Sequence, residues 1–568
     1  MSTVTTFADL TYTRPDIDHL RAQMESLVAA FAAQPSAEST IDLVRHWNVM
    51  RTNVSTMQSL AEVKFTQNVK DEDAKREKQF LDEFGPTITE LFMLVQKQVL
   101  ASPHLDAIKE AFGELFVIRL EESDKVFRPE IKDLLVEEAE LCTKYNDITA
   151  SAKIEVDGKT YNLSTIGTLA ISLDRETRKK AVTAVYDFLA SHQAEIESIY
   201  DRLVKLRDEK ARRLGYNDYI EFRYIEFGRH DYNRNDVAVF RDQVIAHVVP
   251  LVGAFRAAQA KRLGIDNVRI YDEKLHFADG NPVANGDHDW IVDKARTMYA
   301  ELSPETHEFF ELMLQGGLMD LKSRDNKATG GYCTSFAEFG LPFIFANFNQ
   351  TTHDIEVLTH EAGHAFQCYR SRAYEQPEYR WPTMEACEIH SMGMEFLTWP
   401  WMGSFFGEQL DKFRFYHLQG ALLFLPYACA VDHFQHWVYE NPNATPAERN
   451  ATWTEMESVY MPWRDTSDIA HAATGTQWQL QRHIIESPFY YIDYALAQTC
   501  ALQFWQASQV DRAKAFSDYL RICDIGGSQS FVQIVRSGNL RSPFEAGCLD
   551  SIVSDVKQWL DREYPQYL

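Results

Sequence analysis

The chain has 568 residues, with Lys+Arg 57 against Asp+Glu 83 and a formal net charge of −26. That length exceeds what one compact core serves, so two or more lobes are expected, and 45% hydrophobic with 12% aromatic residues excludes a disordered chain. The acidic balance argues against nucleic acid or an anionic membrane as main partner, since both select a basic footprint.

From residue 16 to about residue 98, apolar residues recur at three- and four-residue steps, as at Leu20, Met24, Leu27, Val28 and Phe31, which predicts helices. Pro35, Pro86 and Pro103 mark expected helix boundaries. Residues 151–161 alternate apolar and polar about Asp157-Gly158, a hairpin signal. Helical patterning resumes near Ser172 and runs to about Arg262. Residues 271–289, rich in Gly, Asn and Asp, read as loop with one short strand. New helices are expected near Trp290 and at Ser303-Pro304. Residues 330–349 form the clearest β region, rich in aromatic side chains, and the last third is again helical. The class is mainly α with a small antiparallel β-sheet.

The N-terminus has neither a basic start nor an apolar run, so no signal peptide is expected. The longest strongly apolar stretch, residues 420–431, is too short for a bilayer and contains Pro426. The eight cysteines are scattered, without a Cys-x-x-Cys pair. These features predict a soluble, cytoplasmic protein with no membrane partner.

One stretch carries a recognisable chemistry. In His360-Glu361-x-x-His364 the two histidines are four apart, hence on one helix face. Two imidazoles so placed can grip one metal ion, and Glu361 beside them can work on a water. His is scarce, 18 in 568, which weighs against a chance match. Thr351-x-x-Asp354 reads as a capping box that opens this helix. Val357, Leu358 and Phe366 offer core-facing positions, and Ala362 and Gly363 are small enough for another backbone to approach. A catalytic zinc needs a third protein ligand and an open position. Pro377 and Trp381-Pro382 predict a break and restart, and the next helical run offers Glu385, Glu388, His390 and Glu395. Glu388 and Glu395 are seven apart and share a face, so one could bind the metal while the other orients a ligand. Spacing alone leaves the four open.

His360-Glu-Ala-Gly-His364 followed by Glu388 and Glu395 resembles the thimet oligopeptidase and oligoendopeptidase F family of zinc metallopeptidases, and within it the bacterial oligoendopeptidase F and Pz-peptidase branch. The resemblance implies His360, His364 and Glu388 as ligands of one zinc ion per chain. It implies Glu361 as general base and Glu395 as a carboxylate behind the ligands. A second patch, residues 483–498, resembles the family's His-then-tyrosine segment. Pro488 can begin a helix there, which would gather Tyr490, Tyr491 and Tyr494 on one side. The resemblance implies His483 and Tyr494 as donors to a developing oxyanion, with Tyr491 binding substrate; Tyr490 is expected to bind substrate too, as a substitute for a family tyrosine. The family's first tyrosine after the histidine has no counterpart, because Glu486-Ser487-Pro488 stands in its place. Gly330, Gly331 and Tyr332 match the family's glycine loop, and the following strand its substrate strand, where an edge can hold an extended peptide. His390 is expected to line the cleft; His353, His433 and His436 read as structural or surface residues.

The implied fold is two largely helical lobes around a deep substrate channel, with the small antiparallel sheet next to the metal helix. Residues 1–200 are expected to form an N-terminal helical lobe with a hairpin, and 201–568 the catalytic region. The implied activity is internal cleavage of short unfolded peptides. Two readings compete: a helical zinc carboxypeptidase, and a non-catalytic peptide binder with a structural zinc. Glu361, which is not a ligand, speaks against the second.

Overall fold

The computed structural model describes residues 5–33, 35–349 and 352–568. The described chain is mainly helical. Its strands are β1 (Ile154–Val156), β2 (Lys159–Tyr161), β3 (Met319–Lys322), β4 (Tyr332–Phe336) and β5 (Leu341–Phe348). The chain forms two compact units, each from three segments: Met1–Lys125, Val283–Gly407 and Ala507–Leu540 in the first, Val126–Pro282, Glu408–Gln506 and Arg541–Leu568 in the second. This differs from the contiguous division expected at residue 200. That position lies inside the unbroken helix Arg175–Arg213, whose buried Ile196, Tyr200 and Leu203 continue across it. That helix packs as one piece within the second unit, so residue 200 is no boundary.

In the first unit, helices Ile17–Ala32, Ala37–Gln67 and Glu72–Leu100 open on side-chain caps from Asp16, Ser36 and Asp71. Leu20, Met24, Leu27 and Phe31 are buried, as their spacing predicts. Pro86 does not end a helix; it sits on the exposed face of Glu72–Leu100. An interior proline costs about 3 kcal/mol. Here Leu81, Ile88, Leu91, Val95 and Val99 form a buried stripe running past it, and at about 1.5–3 kcal/mol per side chain that burial outweighs the loss.

The sheet of this unit has the order β3-β5-β4. β4 pairs antiparallel with β5, as expected, while β3 adds a parallel edge. β5 is central and buried except at Asn347, which explains the apolar run over residues 341–346. The buried Lys327 ammonium donates to the carbonyls of Asp320 and Lys322 and to the Asp320 carboxylate, at 2.9, 3.0 and 2.9 Å. It thereby ties the loop that leads to Gly330 onto β3.

In the second unit the hairpin forms as read. Asp157 and Gly158 both have positive φ, 49° and 78°, the signature of a two-residue type I′ turn. Ile154 pairs with Tyr161 and Val156 with Lys159. Residues 271–289 hold no strand; the isolated bridge nearest them joins Arg269 to Asp465. The continuous helical run from Arg234 to Leu263 is long and apolar enough to cross a membrane by composition, with half of its most apolar window buried in the protein, the pattern also shown by core helices. Pro426 again lies inside a helix, Leu410–Glu440.

A buried ion cluster in this unit makes stability pH-dependent. Glu138 accepts from Arg207 and Lys210, each at 2.6 Å. Burial alone would raise the Glu138 pKa, but the two cations overcome it and hold it at about 2. A folded pKa below the usual 4.5 stabilises above pH 4.5, and that contribution is lost as pH falls toward 2. At 1.36 kcal/mol per unit, the loss is about 3 kcal/mol. Urea unfolding of wild type and Glu138→Gln between pH 6 and pH 3 checks this: the variant is expected to lose less stability over that range. Equal slopes would contradict it.

Candidate metal centre

The metal helix spans His353–Ser371. Thr351, part of the expected capping box, lies outside the described residues. Asp354 instead accepts the Asn349 N–H at 3.0 Å. Leu358, Ala362, Ala365 and Phe366 are buried, and Val357 is half-buried. The chain breaks at Trp381-Pro382 and restarts as the helix Met384–Leu397, as its prolines predict. These two helices pack together intimately because position 363 is glycine. A Cβ there would stand 2.5 Å from the His390 carbonyl oxygen and 2.7 Å from the Ser391 Cα.

That close approach brings three donors together. One donor atom each from His360, His364 and Glu388 lies within 4.8 Å of the other two. Glu388 Oε2 is 3.3 Å from His360 Nε2 and 3.5 Å from His364 Nε2. Ligand atoms about 2.1 Å from a tetrahedral centre are about 3.4 Å apart, so the donors have the spacing of a metal site. Burial would raise the Glu388 pKa, but His364 and His360 pull it below the usual carboxylate range. The Ser391 hydroxyl donates to Glu388 Oε2 at 3.0 Å. Ser391 was not picked out from sequence; its signal was the three-residue step from Glu388 along one helix.

Glu395 meets the other side of His360, with its Oε1 2.8 Å from Nδ1. A carboxylate there makes Nδ1 the protonated nitrogen and leaves the Nε2 lone pair for a metal. His364 has no such support: its Nδ1 is buried without a hydrogen-bond partner among the described residues. Of the two imidazoles, His360 is thus the one whose second nitrogen is held by a carboxylate. Glu395→Ala is expected to weaken metal affinity by about 10–100-fold, measured by chelator competition; an unchanged affinity would show that Glu395 does not orient the ligand.

Glu361 stands beside the three donors without joining them. It is buried, and its Oε2 has no partner among the described residues. Burial pushes its carboxyl above the usual range, opposed by His360 and His364. Gly331, next to β4, brings backbone close to it, since a Cβ at 331 would be 3.7 Å from Glu361 Oε1. Gly330 precedes it with φ of 92°, a conformation that favours glycine.

Other expected residues are used differently. His390 does not line a surface: it is fully buried, with its ring 6.1 Å from Tyr519 and its carbonyl accepting the Tyr519 hydroxyl at 2.8 Å. Burial lowers its pKa to about 4, so it stays neutral. Tyr332 stacks on Phe345 at 5.0 Å and shares a 2.6 Å hydrogen bond with Thr66, so its phenol is committed to packing. Glu385 is buried outside the donor trio. His353 is exposed near Glu356, and His433 and His436 contact Tyr460 and Tyr224 as structural groups. Cys368 and Cys387 are buried free thiols.

His483, Tyr490, Tyr491 and Tyr494 belong to the second unit. The His483 ring lies 5.7, 5.0 and 5.9 Å from those of Tyr490, Tyr491 and Tyr494. The Tyr494 and Tyr490 hydroxyls are 3.1 Å apart. The helix starts at Tyr491, not at Pro488. Between them, Phe489 has φ of 66°, a strained conformation for a bulky residue. Gln435 holds its N–H at 2.9 Å and Arg229 its carbonyl at 2.6 Å. Arg229 also pairs with the buried Asp493 in the helix's first turn. This clamp replaces the helical start expected from Pro488 and orients the tyrosines.

The comparisons agree with this geometry. Residues 7–127 match the peptidase M3 N-terminal domain, and residues 168–289 and 290–554 match peptidase family M3. No curated protein matches. A structure described as an oligoendopeptidase F is 45% identical, covering 98% of this chain and 99% of its own, with a TM-score of 0.92. Pz peptidase A, solved with an inhibitor, is 44% identical over 98% and 99% of the two chains, at 0.92. An oligoendopeptidase F from Bacillus anthracis str. Ames is 41% identical over the whole of both chains, at 0.89. With two histidines and a glutamate in metal-binding register and the family's match over most of its length, the chain belongs to peptidase family M3, as a metallopeptidase of the oligoendopeptidase F type.

Proposed function

We propose that the chain is a zinc-dependent oligoendopeptidase that cuts internal bonds of short, unfolded peptides in the cytoplasm. The observation that carries this reading is the donor trio with the open carboxylate oxygen of Glu361 beside it. His360, His364 and Glu388 would hold one zinc ion, a set of two imidazoles and one carboxylate suited to that metal. Zinc held there supplies a Lewis acid that polarises a carbonyl and makes water more acidic.

The chain's own groups do the rest. Glu361 takes a proton from the attacking water and returns it to the nitrogen of the leaving amine. His483 and Tyr494 donate to the substrate carbonyl oxygen as it gains negative charge. β4 supplies the peptide-binding edge. Ile344 donates its N–H to Leu318, on the β3 side, at 3.0 Å, so the hydrogen-bonded pairs of the β4–β5 ladder are Thr334 with Phe343 and its alternates. Cys333 and Ser335 therefore turn their N–H and C=O groups away from β5, where an extended peptide would pair with them. Free cysteines at all eight positions fit a reducing compartment.

Cleavage of a mixed peptide library with blocked and free C-termini, read by mass spectrometry, tests the reading. Internal cuts in end-blocked peptides are expected. Cleavage confined to free C-termini would favour a carboxypeptidase, and purified protein without zinc would remove the proposed metal.

A further inference from the structure

We propose that Gln481 is a positioning residue that holds the His483 imidazole as the tautomer with its proton on Nε2. The inference rests on the reading of His483 as a hydrogen-bond donor to substrate, and it names what makes His483 a donor. A neutral imidazole offers one N–H and one lone pair, and only the first can steady a developing oxyanion. Which nitrogen carries the proton is set by the partner of the other.

Gln481 sits two residues before His483, at the start of the short helix Arg482–Glu486. Its Nε2 is 2.9 Å from His483 Nδ1. Its Oε1 accepts the Tyr427 hydroxyl at 2.8 Å. The two contacts lock the amide's direction. Burial pushes the Tyr427 pKa well up, so this phenol keeps its proton and must place it. A reversed amide would turn its NH2 toward the half-buried Tyr427 and take away the acceptor of its phenol proton, a loss of up to about 1–3 kcal/mol. With Oε1 toward Tyr427, the amide N–H faces His483. Nδ1 can then only accept, and the imidazole proton goes to Nε2.

The ring is also held in plane. Tyr491 packs against His483 on one side and against Tyr427 at 5.8 Å, so Tyr427 supports both Gln481 and the tyrosine group. Arg207 donates to the Ile485 carbonyl at 2.6 Å and anchors the helix that carries His483. The relay from Tyr427 through Gln481 to His483 thus combines a proton-ordering contact with a rigid mount.

Nitrogen-15 NMR of the full chain, labelled at its histidine side chains, tests this directly. The His483 signals are assigned by difference from His483→Ala. Wild type is expected to show an unprotonated Nδ1 and a protonated Nε2. Gln481→Glu, which places a carboxylate at Nδ1, is expected to move a proton onto Nδ1 and to lower kcat by up to about 10²–10³-fold, the cost of removing an oxyanion donor, with little change in KM. Tyr427→Phe, which removes only the hydroxyl, is expected to produce a mixture of tautomers. A wild-type proton on Nδ1, or unchanged His483 signals in Gln481→Glu, would overturn the proposal. Wild-type turnover in His483→Ala would instead overturn the donor role while leaving the tautomer assignment in place.

Discussion

Replacing Glu361 by Gln is expected to lower kcat by about 10²–10⁴-fold, the contribution of a positioned general base, while metal content stays at the wild-type level. The amide has nearly the shape of the carboxylate and cannot take a proton. The donor trio of His360, His364 and Glu388 does not include Glu361, so binding has no reason to fail. Glu361 is also the group whose surroundings mark it for reaction. Its Oε2 is buried without a partner among the described residues, a cost in stability that a catalytic use explains. Metal analysis together with steady-state kinetics separates the two effects. Full turnover in the variant would remove Glu361 from the chemistry, and loss of the metal would recast it as part of the binding site.

A second large effect is expected from Gly363→Ala, which changes no ligand. The new methyl would collide with the backbone of His390 and Ser391, at 2.5 and 2.7 Å. Backbone cannot rotate away as a side chain can, so the helix Met384–Leu397 must shift. Glu388 lies one turn before Ser391 and moves with it, opening the 3.3 and 3.5 Å separations to the histidines. Overpacking of this kind costs about 1–3 kcal/mol, and disturbing ligand support weakens metal binding by about 10–100-fold. Gly420→Ala serves as control. It lies in the helix Leu410–Glu440 where an added Cβ meets nothing within 4 Å, and it should be neutral or stabilising by about 0.5–1 kcal/mol. Thermal unfolding and chelator competition on both variants check the pair. Equal metal affinity in the two would show that the helix contact does not set the site.

The local features of this protein were open to reading because each depends on a few neighbouring residues. The four-residue step from His360 to His364 sets two imidazoles on one face whatever surrounds the helix. Asp157-Gly158 makes its turn because both positions tolerate positive φ. Caps at Asp16, Ser36 and Ser303 likewise act within one turn. Pro86 misled as a boundary signal for the converse reason: its local penalty is fixed, while the burial that overrides it comes from residues distant in sequence. At Phe489, Arg229 and Gln435 reach in from far along the chain and impose a backbone conformation that the segment alone would avoid.

The sequence by itself determined the mainly helical class, the pair of histidines, the flanking Glu361, and, through resemblance, the family. Tertiary structure decided the rest. Only the docking of two helices across Gly363 shows which of Glu385, Glu388 and Glu395 meets both histidines and which stands behind one of them. It also buried His390, added a parallel strand to the sheet, built each compact unit from three segments, and turned Gln481 toward His483. Helical periodicity fixes where side chains point around one axis. The distance between two axes depends on which atoms meet between them, and those atoms come from parts of the chain that no local pattern relates.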